Sequence, residues 1–189
     1  MAPALPAHLA GLDDDLLARA ARIRLACFDV DGTLTDGRLF LDADGRELKA
    51  FHVHDGQGLV LLRKAGIEVA FVTARRSETA ARRAQELGVR AHIGVQDKLA
   101  CVQALCAELG AGIETVSFMG DDLPDVAVMR ACGLAVAPAD AHACMRPVAH
   151  WRTRANAGAG AARELCDLLL AAQGRYPDTA PPGATGGRA

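Results

Sequence analysis

The sequence predicts an α/β protein built on a doubly wound parallel sheet, with a protruding β-hairpin. Three observations predict it. Apolar runs too short for helices recur along the chain, and several end abruptly in polar residues, as buried strands do. Between them lie helical stretches with a capping residue at the start and often a glycine at the end. Asp42-Ala43-Asp44-Gly45 stands between two alternating runs and carries the Asp-Gly signal of a hairpin turn. Strands alternating with helices favour a parallel sheet with right-handed crossovers, covered on both faces.

In chain order, Asp13 to Ile23 is an amphipathic helix with its acidic residues at the start, and Ile23 to Phe28 is a buried strand ending in Asp29-Val30-Asp31-Gly32-Thr33. Gly37 to Leu41 and Arg46 to Val53 form the hairpin. Asp55 caps a helix to Lys64, stopped near Gly66, and Ile67 to Val72 is the next strand. Ser77 caps a helix to Leu87, stopped by Gly88; Ala91 to Ile93 is a weak strand. Asp97 caps a helix to Leu109, and Thr115 to Met119 is a strand ending at Gly120-Asp121-Asp122. A helix at Val126 to Ala131, a strand at Leu134 to Ala137 and a helical turn near Ala141 to Met145 follow. A short strand at Ala149 to Arg152 and a helix at Ala161 to Ala172 complete the pattern. This divides the chain into an N-terminal extension (1–20), a domain (21–174, hairpin 37–53) and a flexible tail (175–189), the last too poor in apolar bulk to pack.

Composition excludes several classes of function. Among 189 residues, 51% are hydrophobic, which is ample for a core. Lys and Arg total 21 against 23 Asp and Glu, a formal net charge of −2. That balance leaves no footprint for nucleic acid or an acidic membrane surface. No apolar run approaches the ~18 residues of a membrane span, and Pro3 and Pro6 interrupt the N-terminal stretch where a cleavable signal would need its apolar segment. The six cysteines are scattered without a C-x-x-C pair, as expected of small buried hydrophobes in a reducing compartment. A cytoplasmic location fits.

The chemistry gathers at strand tips. Asp29 and Asp31 are two apart, so on an extended chain both face the same side, and Gly32 lets the chain turn away. A surface turn would also explain such a pair, but this one ends a strand apolar enough to be central. Desolvating two carboxylates without a cation costs several kcal/mol per ion, roughly. Asp121 and Asp122, with Asp125 a helical turn on, add negative charge at another tip. Oxygen donors without nearby His or Cys suit Mg²⁺, although acidic residues in a first helical turn also have a purely structural use. Thr73 follows a third strand, with Arg75 just beyond. Lys98 opens a helix, where a solvated side chain is the plain alternative. In such sheets the carboxyl ends of the strands frame the ligand crevice, so these tips converge on one site.

The ordered set Asp29-Val30-Asp31-Gly32-Thr33, Thr73, Lys98 and Gly120-Asp121-Asp122-Leu123-Pro124-Asp125 resembles the four motifs of the haloacid dehalogenase superfamily of phosphotransferases, over about Ile23 to Val136. The resemblance implies the Rossmann-like fold of that superfamily. It also implies that Asp29 is the nucleophile that forms an aspartyl-phosphate, and that Asp31 protonates the leaving oxygen and later activates water. It further implies that Mg²⁺ is held by Asp29, the Asp31 main-chain carbonyl and Asp121, with Asp122 acting on it from outside that set or through water. Thr73 and Lys98 would hold the phosphoryl group. Two unit charges ~3.5 Å apart repel by ~5 kcal/mol at an effective dielectric of ~20, and Mg²⁺ and Lys98 cancel that repulsion between nucleophile and phosphate.

The hairpin and one helix use up the stretch between Asp31 and Thr73, and one helix and one strand fill Thr73 to Lys98. The chain therefore has no cap domain. Glu47-Leu48-Lys49-Ala50-Phe51, His54-Asp55-Gly56-Gln57-Gly58, Val136 to His142 and Ala161 to Leu170 are similar to the 3-deoxy-D-manno-octulosonate 8-phosphate phosphatases, over Ile23 to Gly174. That resemblance implies a sugar-acid phosphate substrate from lipopolysaccharide sugar synthesis. It implies a homotetramer whose hairpins build a central barrel, with each site closed by a neighbour. Substrate contacts would come from His52, His54, Asp55, Gly56, Arg75, Arg83 and Lys98.

The chain departs from this pattern at three places. It has His52-Val53-His54 where the family commonly has Asn-Val-Arg, Val60 where an Arg is common, and Ala74 where Gly is usual. Arg pairs bidentately with carboxylate or phosphate, so these losses bear on the identity of the sugar. His52 and His54 are either partly charged substitutes or ordinary alternating hairpin residues. Two alternatives follow: a phosphatase of a related nonulosonate phosphate, and a catalytically weak tetramerisation domain of the same fold. The latter predicts loss of Asp31 or Lys98, and both are present.

Overall fold

The computed structural model describes residues 6–177; most of the expected tail, 178–189, lies outside them. Its centre is a six-stranded sheet. The strands are β1 (Leu25–Phe28), β4 (Glu68–Thr73), β5 (Arg90–Ile93), β6 (Val116–Met119), β7 (Leu134–Ala137) and β8 (Trp151–Arg152), in the spatial order β5-β4-β1-β6-β7-β8. Every pairing is parallel, with Phe28 opposite Phe71 on one side and Met119 on the other. Strand order runs outward from β1 in one direction through β4 and β5, then reverses at β6. The crevice beyond the carboxyl ends of β1 and β6 is therefore the switch point where ligands bind in open α/β sheets.

Both faces of the sheet are covered. Ala26 and Phe28 of β1 join one apolar cluster with α1 (Asp14–Ala21), α2 (Val53–Lys64), α3 (Glu78–Leu87) and α6 (Ala161–Ala172). Leu25 and Cys27 point the other way, into a second cluster with α4 (Lys98–Leu109) and α5 (Val126–Ala131). This period-two alternation lets a continuous apolar run serve two cores. No further domain interrupts the sheet among the described residues, and no helix there is long and apolar enough to cross a membrane. All six cysteines are free, four of them buried.

Two local expectations are corrected. The hairpin ladder is much shorter than 37–53: only β2 (Phe40–Leu41) and β3 (Glu47–Leu48) pair. Its turn forms as expected, with the Asp42 carboxylate accepting from the Asp44 and Arg46 amides. Beyond Leu48 the strand does not continue, because α2 begins at Val53 with the His52 ring accepting the His54 amide. Nor does Asp55 cap α2. Its buried carboxylate accepts from the Gly160 and Arg163 amides, at 3.3 and 2.8 Å, and so caps α6. Gly160 opens that helix without a side chain of its own, and an uncapped first turn leaves orphan N–H groups. Asp55 supplies the missing acceptor from a distant stretch of chain.

Candidate active site

A pocket of about 190 Å³ opens beyond β1, β4 and β6, lined by Asp29, Asp31, Thr73, Arg75, Lys98 and Asp121 among others. The three strand tips and the start of α4 thus converge as the sequence reading expects.

On the sheet side, Lys98 is almost wholly buried and its ammonium lies 2.9 Å from Asp29 Oδ1 and 2.6 Å from Asp125 Oδ1. Burial by itself would lower the Lys98 pKa, but the two carboxylates outweigh it and hold it above its usual value. Asp125 Oδ2 accepts the Asp121 amide at 3.0 Å, so both of its oxygens are committed. Asp125 therefore fixes Lys98 and the Asp121 loop together, a stronger role than an acidic first turn. Asp29 is pushed up to about 6 by burial and by Asp125, with Lys98 opposing. Asp121 is pushed up to about 7 by burial and then by Asp29 and Asp125. Oxygens of Asp29, Asp121 and Asp125 all lie within 4.8 Å of one another. With Asp125 engaged by Lys98 and the Asp121 amide, the crowded, desolvated carboxylates of Asp29 and Asp121, with no His or Cys between them, are left to fit a hard divalent cation such as Mg²⁺. Gly32 leaves room for this cluster: its φ is +83°, and a Cβ there would sit 2.2 Å from Asp121 Oδ2.

The hairpin side was not legible beforehand. Lys49, 2% exposed, pairs closely with Asp31 Oδ1 and lies 2.9 Å from Glu47. Glu47 also accepts from Arg75 at 2.8 Å and from the Ser77 hydroxyl at 2.9 Å. Burial would raise the Glu47 pKa, but the bonds from Lys49, Ser77 and Arg75 lower it below the usual carboxylate value. Arg75 Nε stands 3.5 Å from Asp31 Oδ2, and that oxygen is buried without a hydrogen-bond partner. Glu47 and Lys49 lie in a stretch that carried the family resemblance, but nothing in their spacing says that the hairpin folds back onto Asp31.

Of the other expected site residues, Thr73 lines the pocket, its hydroxyl accepting the Arg75 amide. Asp122 lies on the rim, half exposed, and caps the turn at Leu123; it is outside the close carboxylate cluster. His52, Asp55, Gly56 and Arg83 gather around a separate small cavity with Phe51. Arg83 pairs with Glu86 at 2.8 Å, and a Cβ on Gly56 would meet its guanidinium at 2.2 Å. His54 lies against His52, ring centroids 5.0 Å apart. Within one copy, none of these five residues lines the catalytic pocket.

A carboxylate beside a buried ammonium, facing a cluster of acidic oxygens at a sheet switch point, is suited to phosphoryl transfer. Residues 91–165 match the family model of haloacid dehalogenase-like hydrolases. The 3-deoxy-D-manno-octulosonate 8-phosphate phosphatase of Yersinia pestis is 45% identical over 174 residues, covering 92% of this chain and 90% of that one. A hypothetical protein from Xanthomonas campestris superposes with a TM-score of 0.89 at 56% identity, covering 91% of this chain and 94% of that one. The Moraxella catarrhalis 3-deoxy-D-manno-octulosonate 8-phosphate phosphatase, solved with magnesium, phosphate and KDO, gives 0.85 at 37% identity, covering 87% and 95%. The chain belongs to the 3-deoxy-D-manno-octulosonate 8-phosphate phosphatase family of haloacid dehalogenase-like hydrolases, and it is a phosphatase.

Proposed function

We propose that this enzyme hydrolyses 3-deoxy-D-manno-octulosonate 8-phosphate through an aspartyl-phosphate on Asp29. The observation that carries the mechanism is the contact of Asp29 with Lys98 at the mouth of the acidic cluster. Asp29, the Asp31 main-chain carbonyl and Asp121 would hold Mg²⁺, with Asp122 reaching it through water, and the ion supplies positive charge against the phosphate oxygens. Lys98 and Thr73 hold the phosphoryl group in line. An Asp29 oxygen attacks phosphorus as the phosphorus–sugar oxygen bond breaks, splitting one hydrolysis into two easier steps.

Asp31 moves the protons. In the resting site its Oδ1 is held by Lys49 while Oδ2 has no hydrogen-bond partner. An incoming phosphate dianion competes for the Lys49 and Arg75 charges that hold Asp31 in the resting site, and the implied role of Asp31 is general acid. The proton carried on Oδ2 passes to the leaving sugar oxygen. Water then attacks the aspartyl-phosphate, gives its proton to Asp31, and inorganic phosphate leaves with Asp29 regenerated.

We also infer a homotetramer. Leu39, Phe40, Leu41, Leu48 and Val53 expose apolar side chains along the hairpin and its exit, and the two-stranded ribbon is unpaired at both edges. Such a surface is a ready site for other copies. It would bring the hairpin of one copy to the pocket of another, with His52, His54 and Arg83 available to substrate and Asp55 and Gly56 supporting them from beneath, by capping α6 and seating Arg83. The free cysteines support work in the cytoplasm. Phosphate release across a panel of sugar-acid phosphates tests the substrate. Preference for 3-deoxy-D-manno-octulosonate 8-phosphate is expected, and preference for a nonulosonate phosphate would overturn the assignment.

A further inference from the structure

A second group of metal-binding side chains adjoins the acidic pocket but differs from it in chemistry. Asp122 Oδ1 lies 3.7 Å from His142 Nδ1 and 3.6 Å from Cys144 Sγ, and ligand atoms of all three residues lie within 4.8 Å of one another. Ligands bound to one tetrahedral zinc ion at ~2.0–2.3 Å stand roughly 3.3–3.7 Å apart by simple geometry, so two of the three edges already match. His142 also caps the short 3-10 turn Ala143–Met145 through the Cys144 amide, at 3.3 Å. A cation bound through Nδ1 would take the lone pair that now accepts the Cys144 amide, so binding exchanges this cap for the ion. Capping does not explain why a thiol and an imidazole both converge on Asp122, whose other oxygen contacts are backbone.

We propose that Asp122, His142 and Cys144 form a site for a thiophilic divalent cation such as Zn²⁺, beside the all-oxygen site of Asp29, the Asp31 carbonyl and Asp121 and sharing with it Asp122, which reaches the magnesium only through water. Nitrogen and sulfur donors suit zinc and cobalt, whereas carboxylates and carbonyls suit magnesium. Three protein ligands leave the fourth position to water, consistent with the exposure of Asp122 and His142. Binding converts the Cys144 thiol to thiolate and releases its proton to solvent. The site is tied to the catalytic loop: the His142 amide donates to the Asp121 carbonyl at 3.0 Å, and Asp122 is the next residue. An ion there restrains the loop that carries Asp121.

The test needs no substrate. The full chain, saturated with Mg²⁺, is titrated with Co²⁺ while thiolate-to-cobalt charge transfer is followed in the near ultraviolet, and Zn²⁺ is then used to displace it. One equivalent of cobalt with a thiolate band is expected. Cys144→Ser should abolish the band. His142→Asn should weaken affinity by at least the roughly 10–100-fold that loss of even an outer partner costs a metal site. Absence of a thiolate band in the unaltered protein, or a band that survives Cys144→Ser, overturns the proposal. Failure here leaves the phosphatase mechanism untouched, because neither magnesium nor phosphate release enters the readout.

Discussion

The two walls of the catalytic pocket are built on different principles. Asp29, Lys98, Asp121 and Asp125 stand on strand tips and helix starts, and their charges meet in a desolvated knot. Asp31, Glu47, Lys49 and Arg75 meet through a hairpin whose ladder is only two residues a side. Backbone geometry fixes the first wall, whereas ion pairs fix the second. The sheet side therefore suits a group that must not move, the nucleophile. The hairpin side suits groups that must exchange partners when a dianion arrives.

Substitutions on the two walls should separate accordingly. The largest effect is expected from Asp29→Asn, which removes the attacking oxygen and should lower phosphate release by roughly 10³-fold or more with the fold intact. Lys98→Met should damage both activity and stability. It leaves Asp29 and Asp125 buried without their cation, a loss on the order of 3–5 kcal/mol, visible as a lower unfolding midpoint in denaturant. On the other wall, Glu47→Gln should lower kcat/KM by about tenfold and cost less stability than Lys98→Met, because Lys49 and Arg75 keep Asp31 as a partner. Equal stability losses for Lys98→Met and Glu47→Gln would erase the distinction. Phe40→Asp should act on assembly rather than chemistry, giving smaller particles by light scattering and a lower kcat/KM.

A pH dependence confined to the sheet side separates the two walls without any substitution. Asp29 and Asp121 have folded-state pKa values of about 6 and about 7, above their ordinary 3.8. Their protonated forms favour the fold, so this contribution is complete below 3.8 and lost as pH rises through about 7. Metal-free protein should lose thermal stability across that window, Asp121→Asn should flatten the loss, and Mg²⁺ should restore stability above it.

The same contrast explains what was readable in the sequence. Asp29, Thr73, Asp121 and Lys98 could be placed because each ends a buried strand or opens the helix after one, and parallel-sheet topology brings such ends together. Lys98 alone looked like a solvated side chain; its burial follows from Asp29 and Asp125 lying on either side. Glu47 and Lys49 gave no such signal. Their partners are set by how the hairpin folds over the pocket, and alternation within a strand does not encode that. Asp55 departs from its expected role for a related reason: its carboxylate caps not its own helix but α6, which it meets only through the tertiary fold.

Every step of the proposed reaction depends on Asp29 carrying the phosphoryl group. Rapid mixing with 3-deoxy-D-manno-octulosonate 8-phosphate, acid quenching and borohydride reduction would convert an acyl phosphate at that position to homoserine, read by peptide mass spectrometry. Homoserine at position 29, absent without substrate, is the expected result. Phosphate release in a pre-steady-state burst with Asp29 unmodified, or modification at Asp31 instead, would contradict it.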